Sequence, residues 1–182
     1  MHRFARRAAA LMLGPCLLAG APAAFAQTAP AAPAAPKAPV RTETTTFDNW
    51  VVTCRASLEK GAKKSCVASL KVTESKSKKT VLLWQIGQDK AGAPTYLVRT
   101  PLGVRLKDGV QITIAKGKPR KIDYASCHSG GCEAIGPFEE AFGKELLTAK
   151  EVVASFVLAN GQTVNVTLPM AGIAQALPAL KG

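Results

Sequence analysis

Five residues carry most of the reactive chemistry available to this 182-residue chain: Cys54, Cys66, Cys127 and Cys132, with His128 beside the third. A zinc site would want paired short spacings such as C-x2-C, but eleven residues separate Cys54 from Cys66 and four separate Cys127 from Cys132. A thioredoxin-type centre needs C-x-x-C at a helix start, which C-x4-C between strands does not match. Ser126 and Ser129 lie too close in sequence to His128 to argue a catalytic triad, and no acid partner is indicated. Glu139, Glu140 and Glu145 read as the solvated face of a helix rather than as a catalytic carboxylate pair. No phosphate-binding glycine fingerprint occurs. The expectation is therefore no enzyme, no metal and no cofactor, with the four cysteines forming two disulfides in an oxidising compartment. The rival is a thiol-active enzyme in which His128 activates a neighbouring thiol.

The start of the chain supplies that compartment. Residues 1–26 have the three parts of a signal peptide: basic Arg3, Arg6 and Arg7, an apolar stretch from Ala8 to about Gly20, and Ala24-Phe25-Ala26 for a peptidase that cuts before Gln27. Gly14, Pro15, Gly20 and Pro22 interrupt the segment, so its apolar run falls short of the roughly 20 residues of a membrane span. Arg6-Arg7 alone is weak support for twin-arginine export. Cys16 follows Pro15, a poor context for lipidation, and is expected to be discarded with the signal. Residues 27–42 form a leader rich in proline and alanine, which favours extended polyproline II over packing. Residues 43–182 are the right size for one domain with a real core.

The periodicity within that domain is mostly two. Trp50, Val52 and Cys54 alternate with Val51 and Thr53, and Leu82, Trp84 and Ile86 with Leu83 and Gln85. Val110, Ile112 and Ile114 repeat the pattern, as do Val164, Val166 and Leu168. Such alternation marks strands with one face inward. Turn signals such as Lys107-Asp108-Gly109, Ser129-Gly130-Gly131 and Asn160-Gly161 punctuate the runs, and the last gives the clearest hairpin. The expected fold is all-β: a disulfide-stapled antiparallel β-sandwich, or a partly open barrel, with one or two short helices. Pro137–Leu147, with Phe138, Phe142 and Leu146 at helical spacing, is one helix candidate, and Pro169–Leu177 is the other. Four cysteines permit three pairings. The hairpins favour 54–66, across a lysine-rich loop, and 127–132, across His128-Ser129-Gly130-Gly131.

The net charge is +12, and removing residues 1–26 takes away three basic residues and no acidic one, leaving +9. The cations cluster at Lys60, Lys63 and Lys64; at Lys76, Lys78 and Lys79; and at Lys116, Lys118, Arg120 and Lys121. Ordinary solvated turns and protection of sheet edges account for such clusters equally well as anion binding does. As binding loops they suit phosphorylated envelope glycolipid, acidic polysaccharide or a host cell surface. They lack the interleaved aromatics that stack on bases, which argues against nucleic acid.

The order Phe47-Asp48-Asn49-Trp50-Val51-Val52-Thr53-Cys54 resembles the F-x-x-W-x-V-x-C opening of the bacterial invasion-associated locus B family. Cys66, then Arg99-Thr100-Pro101-Leu102-Gly103-Val104, Gly109-Val110-Gln111-Ile112 and the pair Cys127/Cys132 continue the resemblance over about 44–170. It implies a small exported β-rich protein of Gram-negative bacteria, whose founding member is linked to entry into red cells. It supplies no catalytic residues. The function expected is an exported binding or adhesion module, periplasmic, outer-membrane-associated or secreted, with no transmembrane span in the mature form. The alternative is a structural or assembly accessory that contacts envelope proteins and has no ligand of its own.

Overall fold

The computed structural model describes residues 39–181. The signal segment, Cys16 and the leader as far as residue 38 lie outside the described residues. Eleven strands and two α-helices follow one another: β1 (Val40–Phe47), β2 (Trp50–Ser57), β3 (Ser65–Thr73), β4 (Thr80–Gln88), β5 (Pro94–Thr100), β6 (Val110–Ile114), β7 (Arg120–Ile122), β8 (Tyr124–His128), β9 (Gly131–Pro137), α1 (Glu140–Thr148), β10 (Val152–Val157), β11 (Thr163–Leu168) and α2 (Ile173–Ala179). The strand β1 begins at Val40, so residues 40–42, read from sequence as the end of the leader, belong to the sheet.

The strands form two antiparallel sheets, one ordered β1-β2-β3-β4-β5-β9-β8 and the other β11-β10-β6-β7. They bury a single core between them and do not close into a barrel, which settles the sandwich over the partly open barrel. Alternation in sequence becomes alternation in space. Trp50, Val52 and Cys54 of β2 point inward, as do Cys66, Ala68 and Leu70 of β3, and Leu82, Trp84 and Ile86 of β4. Val110 and Ile112 of β6, Val152, Ala154 and Phe156 of β10, and Val166 and Leu168 of β11 meet them from the smaller sheet. Ile114 and Val164, at strand ends, are only half-buried.

An aromatic chain ties the larger sheet to the first helix. The Trp50 and Trp84 rings lie 5.8 Å apart, Trp84 meets Tyr96 edge-on at 6.1 Å, and Tyr96 meets Phe142 at 5.2 Å. The expected helix over 137–147 forms later, as α1, because Pro137 still pairs with Thr95 and the Phe138 N–H donates to the Pro94 carbonyl. Phe138 therefore packs beside the helix, against Gly143, where an added Cβ would stand 3.2 Å from its ring. At the other helix, Gly172 precedes α2 with φ 93° and is pressed against the Phe47 carbonyl, leaving no room for a Cβ.

Candidate functional site

The cysteines occupy two hairpins of the larger sheet. Cys54 and Cys66 are direct partners across β2 and β3, with Cα atoms 4.0 Å apart, and their sulfurs are bonded beneath the sheet in the core. Cys127 and Cys132 are partners across the β8–β9 hairpin, also with Cα atoms 4.0 Å apart and also bonded. These are the two pairings the hairpins suggest. The second hairpin turns at Ser129-Gly130. Gly131 then adopts φ 129° and lies against the Thr100 carbonyl on β5, so only glycine fits there.

A polar ladder crosses three strands beside the second disulfide. Glu133 of β9 faces Arg99 of β5 in register, and the Arg99 Nε–H donates to Glu133 Oε1 at 2.9 Å. His128 of β8 approaches the same carboxylate oxygen through Nε2 at 3.0 Å, while the Gly130 N–H donates to His128 Nδ1 at 3.0 Å. Accepting at Nδ1 leaves the proton on Nε2, which donates to Glu133. Both imidazole nitrogens are thus committed within the hairpin, and neither Ser126 nor Ser129 hydrogen-bonds to the ring. The hydrogen bond from His128, joined by Arg99, holds the Glu133 carboxyl below its ordinary value, with burial opposing. Beneath the ladder, the buried Thr100 hydroxyl bonds to the Tyr124 hydroxyl at 3.0 Å, and burial pushes the Tyr124 phenol upward. The ladder locks β5, β9 and β8 together. It presents no nucleophile with a free base.

The carboxylates of α1 are likewise engaged on its surface. Glu140 pairs with Lys144 one turn on at 2.8 Å, and Glu145 pairs with Arg120 at 2.7 Å. No group of three or more His, Cys, Asp or Glu side chains among the described residues is arranged to hold a metal ion.

The three basic clusters fall in three separate places. Lys60, Lys63 and Lys64 occupy the β2–β3 connection, and Lys76, Lys78 and Lys79 the β3–β4 connection. Successive hairpins of an antiparallel sheet turn at alternate ends, so these two clusters sit at opposite ends of the larger sheet, roughly 25 Å apart. Lys116 and Lys118 sit at the β6–β7 turn of the smaller sheet. Arg120 differs from its neighbours: its guanidinium lies 5.0 Å from the Phe142 ring centre while it pairs with Glu145. Lys121 pairs with Asp123 at 2.8 Å and Lys64 with Glu43 at 3.4 Å. Sequence proximity grouped these side chains, and tertiary pairing divides them.

A groove of about 540 Å³ opens between α1, α2 and the ends of β3 and β4, lined by Phe138, Leu147, Leu177 and Leu180 with Lys144 and Lys181 at its margin. The loop spacing carried no sign of it, because it depends on how the two helices dock.

Together these features define a small antiparallel sandwich braced by two disulfides within hairpins. The profile described as Invasion associated locus B (IalB) protein matches residues 50–181, and the chain belongs to that family. Among solved structures it is similar to the crystal structure of invasion associated protein b from Bartonella henselae. The two share 19% identity, with a TM-score of 0.65 over 76% of this chain and 95% of that one, a likeness of fold. No curated protein matches the chain significantly. The disulfides and the family point to an exported protein, and no helix among the described residues is long and apolar enough to cross a membrane.

Proposed function

We propose that the protein is a non-catalytic binding module of the cell envelope or surface, contacting anionic groups through lysines on its hairpin connections. The observation that carries this reading is the placement of Lys60, Lys63, Lys76, Lys78, Lys79, Lys116 and Lys118. All are exposed, all lie on connections between antiparallel strands, and none is within salt-bridge distance of a carboxylate among the described residues. Flexible cations on a rigid frame suit phosphate or carboxylate groups spread over a surface, where many weak contacts add up. Because two clusters occupy opposite ends of the larger sheet, they serve as two separate contacts. Phosphorylated glycolipid, acidic polysaccharide and host-surface glycans share the anionic chemistry required.

The test is retention of the exported protein on vesicles containing phosphorylated glycolipid, against neutral vesicles, over a range of salt. Binding is expected at low ionic strength and should be lost by about 0.5 M salt, where screening acts within a few ångströms. Reversing Lys60, Lys63 and Lys64 to Glu, or Lys76, Lys78 and Lys79 to Glu, should each weaken retention about tenfold, with additive effects. Absence of binding at low salt would remove this reading. Capture from intact envelopes of a protein partner that survives high salt would support the assembly accessory instead.

A further inference from the structure

The β1 strand is an uncovered edge. Among the described residues it forms eight pairs with β2 on one side and none on the other. Its residues from Val40 to Thr46 are all exposed, including Glu43 and Thr45, which share the inward-facing side of Cys54 and Val52. The second sheet and the helices do not extend over it, apart from the Phe47 end near α2. The other edges are less inviting. Strand β7 has three residues, β8 has five with a register shift between Tyr124 and Ser126, and β11 has six. Of the devices by which native proteins blunt an edge, shortness, a bulge, proline and a cover are absent along Val40–Phe47 among the described residues, whereas charge is present in Arg41 and the inward-facing Glu43, so any strand added here must match those charges.

The direction of the free backbone groups follows from the β1–β2 ladder. The Leu58 N–H donates to the Pro39 carbonyl at 3.0 Å, which makes 39 and 58 a hydrogen-bonded pair. The pattern alternates, so Arg41, Glu43, Thr45 and Phe47 turn their N–H and C=O groups toward β2. The Thr44 and Thr53 hydroxyls, 3.5 Å apart, belong to an intervening close pair and agree with that phase. Val40, Thr42, Thr44 and Thr46 therefore aim their N–H and C=O groups outward, into the open edge.

The geometry points to a second copy of this chain as the occupant, joined by antiparallel β1–β1 pairing about a two-fold axis through Thr42. That register sets Thr42 opposite Thr42, and Val40 opposite Thr44, with about six backbone hydrogen bonds formed by outward-facing groups. It also sets Arg41 opposite Glu43 of the second copy, twice by symmetry. Within one chain Glu43 already pairs with Arg41 at 2.9 Å on the same side of the strand and with Lys64 at 3.4 Å, and the second copy adds its own Arg41 and Glu43 so that the two β1 strands alternate in sign across the axis. An axis through Arg41 or Glu43 would oppose like charges, and an axis through Thr44 would set Arg41 against Phe47. Charge pattern and backbone phase select the same register. The product is a continuous sheet of fourteen strands, with the basic hairpin connections displayed twice, an inference that goes beyond anion binding and does not depend on it.

Sedimentation of the exported protein across a concentration series tests this pairing. A reversible dimer is expected for the natural sequence. Thr42→Pro removes an N–H that faces away from β2, so the monomer keeps its ladder while the dimer loses two central bonds and meets the ring; association should fall at least about tenfold at an unchanged thermal midpoint. Arg41→Glu alone and Glu43→Arg alone oppose like charges and should each weaken self-association severalfold at low salt. In an equal mixture of those two variants, the two carboxylates of one chain face the two guanidinium groups of the other. The mixture should therefore restore dimer as a mixed species. A natural protein that stays monomeric up to about 1 mM, or dimerises equally well with Thr42→Pro, overturns the proposal. Failure of the mixture to restore association overturns the Thr42 axis.

Discussion

Glu133 is the residue on which one end of the larger sheet converges. A single carboxylate accepts from Arg99 on β5 and His128 on β8 while its own backbone lies in β9. Its folded pKa lies below its ordinary 4.5, so the stability it contributes is fully present above that value and is lost as pH falls through the folded value. The expected outcome is a gap in thermal midpoint between the natural protein and Glu133→Gln that is full above the carboxyl's ordinary 4.5 and narrows as pH falls below it. A gap that stays constant through that fall would show that the carboxylate's charge is immaterial. The sequence shows neither this ladder nor the role of Arg120. Each depends on an arginine meeting a carboxylate from afar, Arg99 with Glu133 34 positions on and Arg120 with Glu145 25 positions on, and charge composition records only that lysines and arginines lie near one another in the chain.

At the scale of elements, the two cystine hairpins differ in what surrounds them. Cys54 and Cys66 are both buried, whereas Cys127 is exposed and Cys132 buried. Loop-closure entropy assigns about 3 kcal/mol to the 54–66 bridge and about 2 kcal/mol to the shorter 127–132 bridge. Replacing both cysteines of a bridge by serine should therefore cost more at the first hairpin, since burial of two hydroxyls adds to the lost constraint. Urea unfolding of the two double variants measures the difference, and equal midpoints would refute it. Strands β2, β4, β6 and β11 were legible because each has one wet and one dry face, which forces residues to alternate. Strand β1 was not, because an edge with both faces wet imposes no alternation on Arg41-Thr42-Glu43-Thr44-Thr45-Thr46. Asn160-Gly161 revealed its hairpin because the turn itself needs a residue at φ 89°.

For the whole molecule, sandwich class and both pairings could be read from local patterns, while strand order and the distribution of charge could not. Strand order is set by partners as distant as β5 and β9, or β6 and β10, whose match lies in packing rather than in any neighbouring residue. The same topology disperses the basic loops, which is why their contacts must be tested cluster by cluster. It also keeps each sulfur's partner close: every bridge joins a cysteine to the next one along the described chain, 12 and 5 positions on. A polypeptide threaded N-terminus first through a translocation pore would meet each correct thiol before any wrong one had emerged. Oxidation in order of appearance would then give the native connectivity with no reshuffling step, and yield of correctly bridged protein should be unchanged in a host lacking disulfide isomerase. Accumulation of mispaired species in that host, read by peptide mapping, would show instead that folding outlasts emergence.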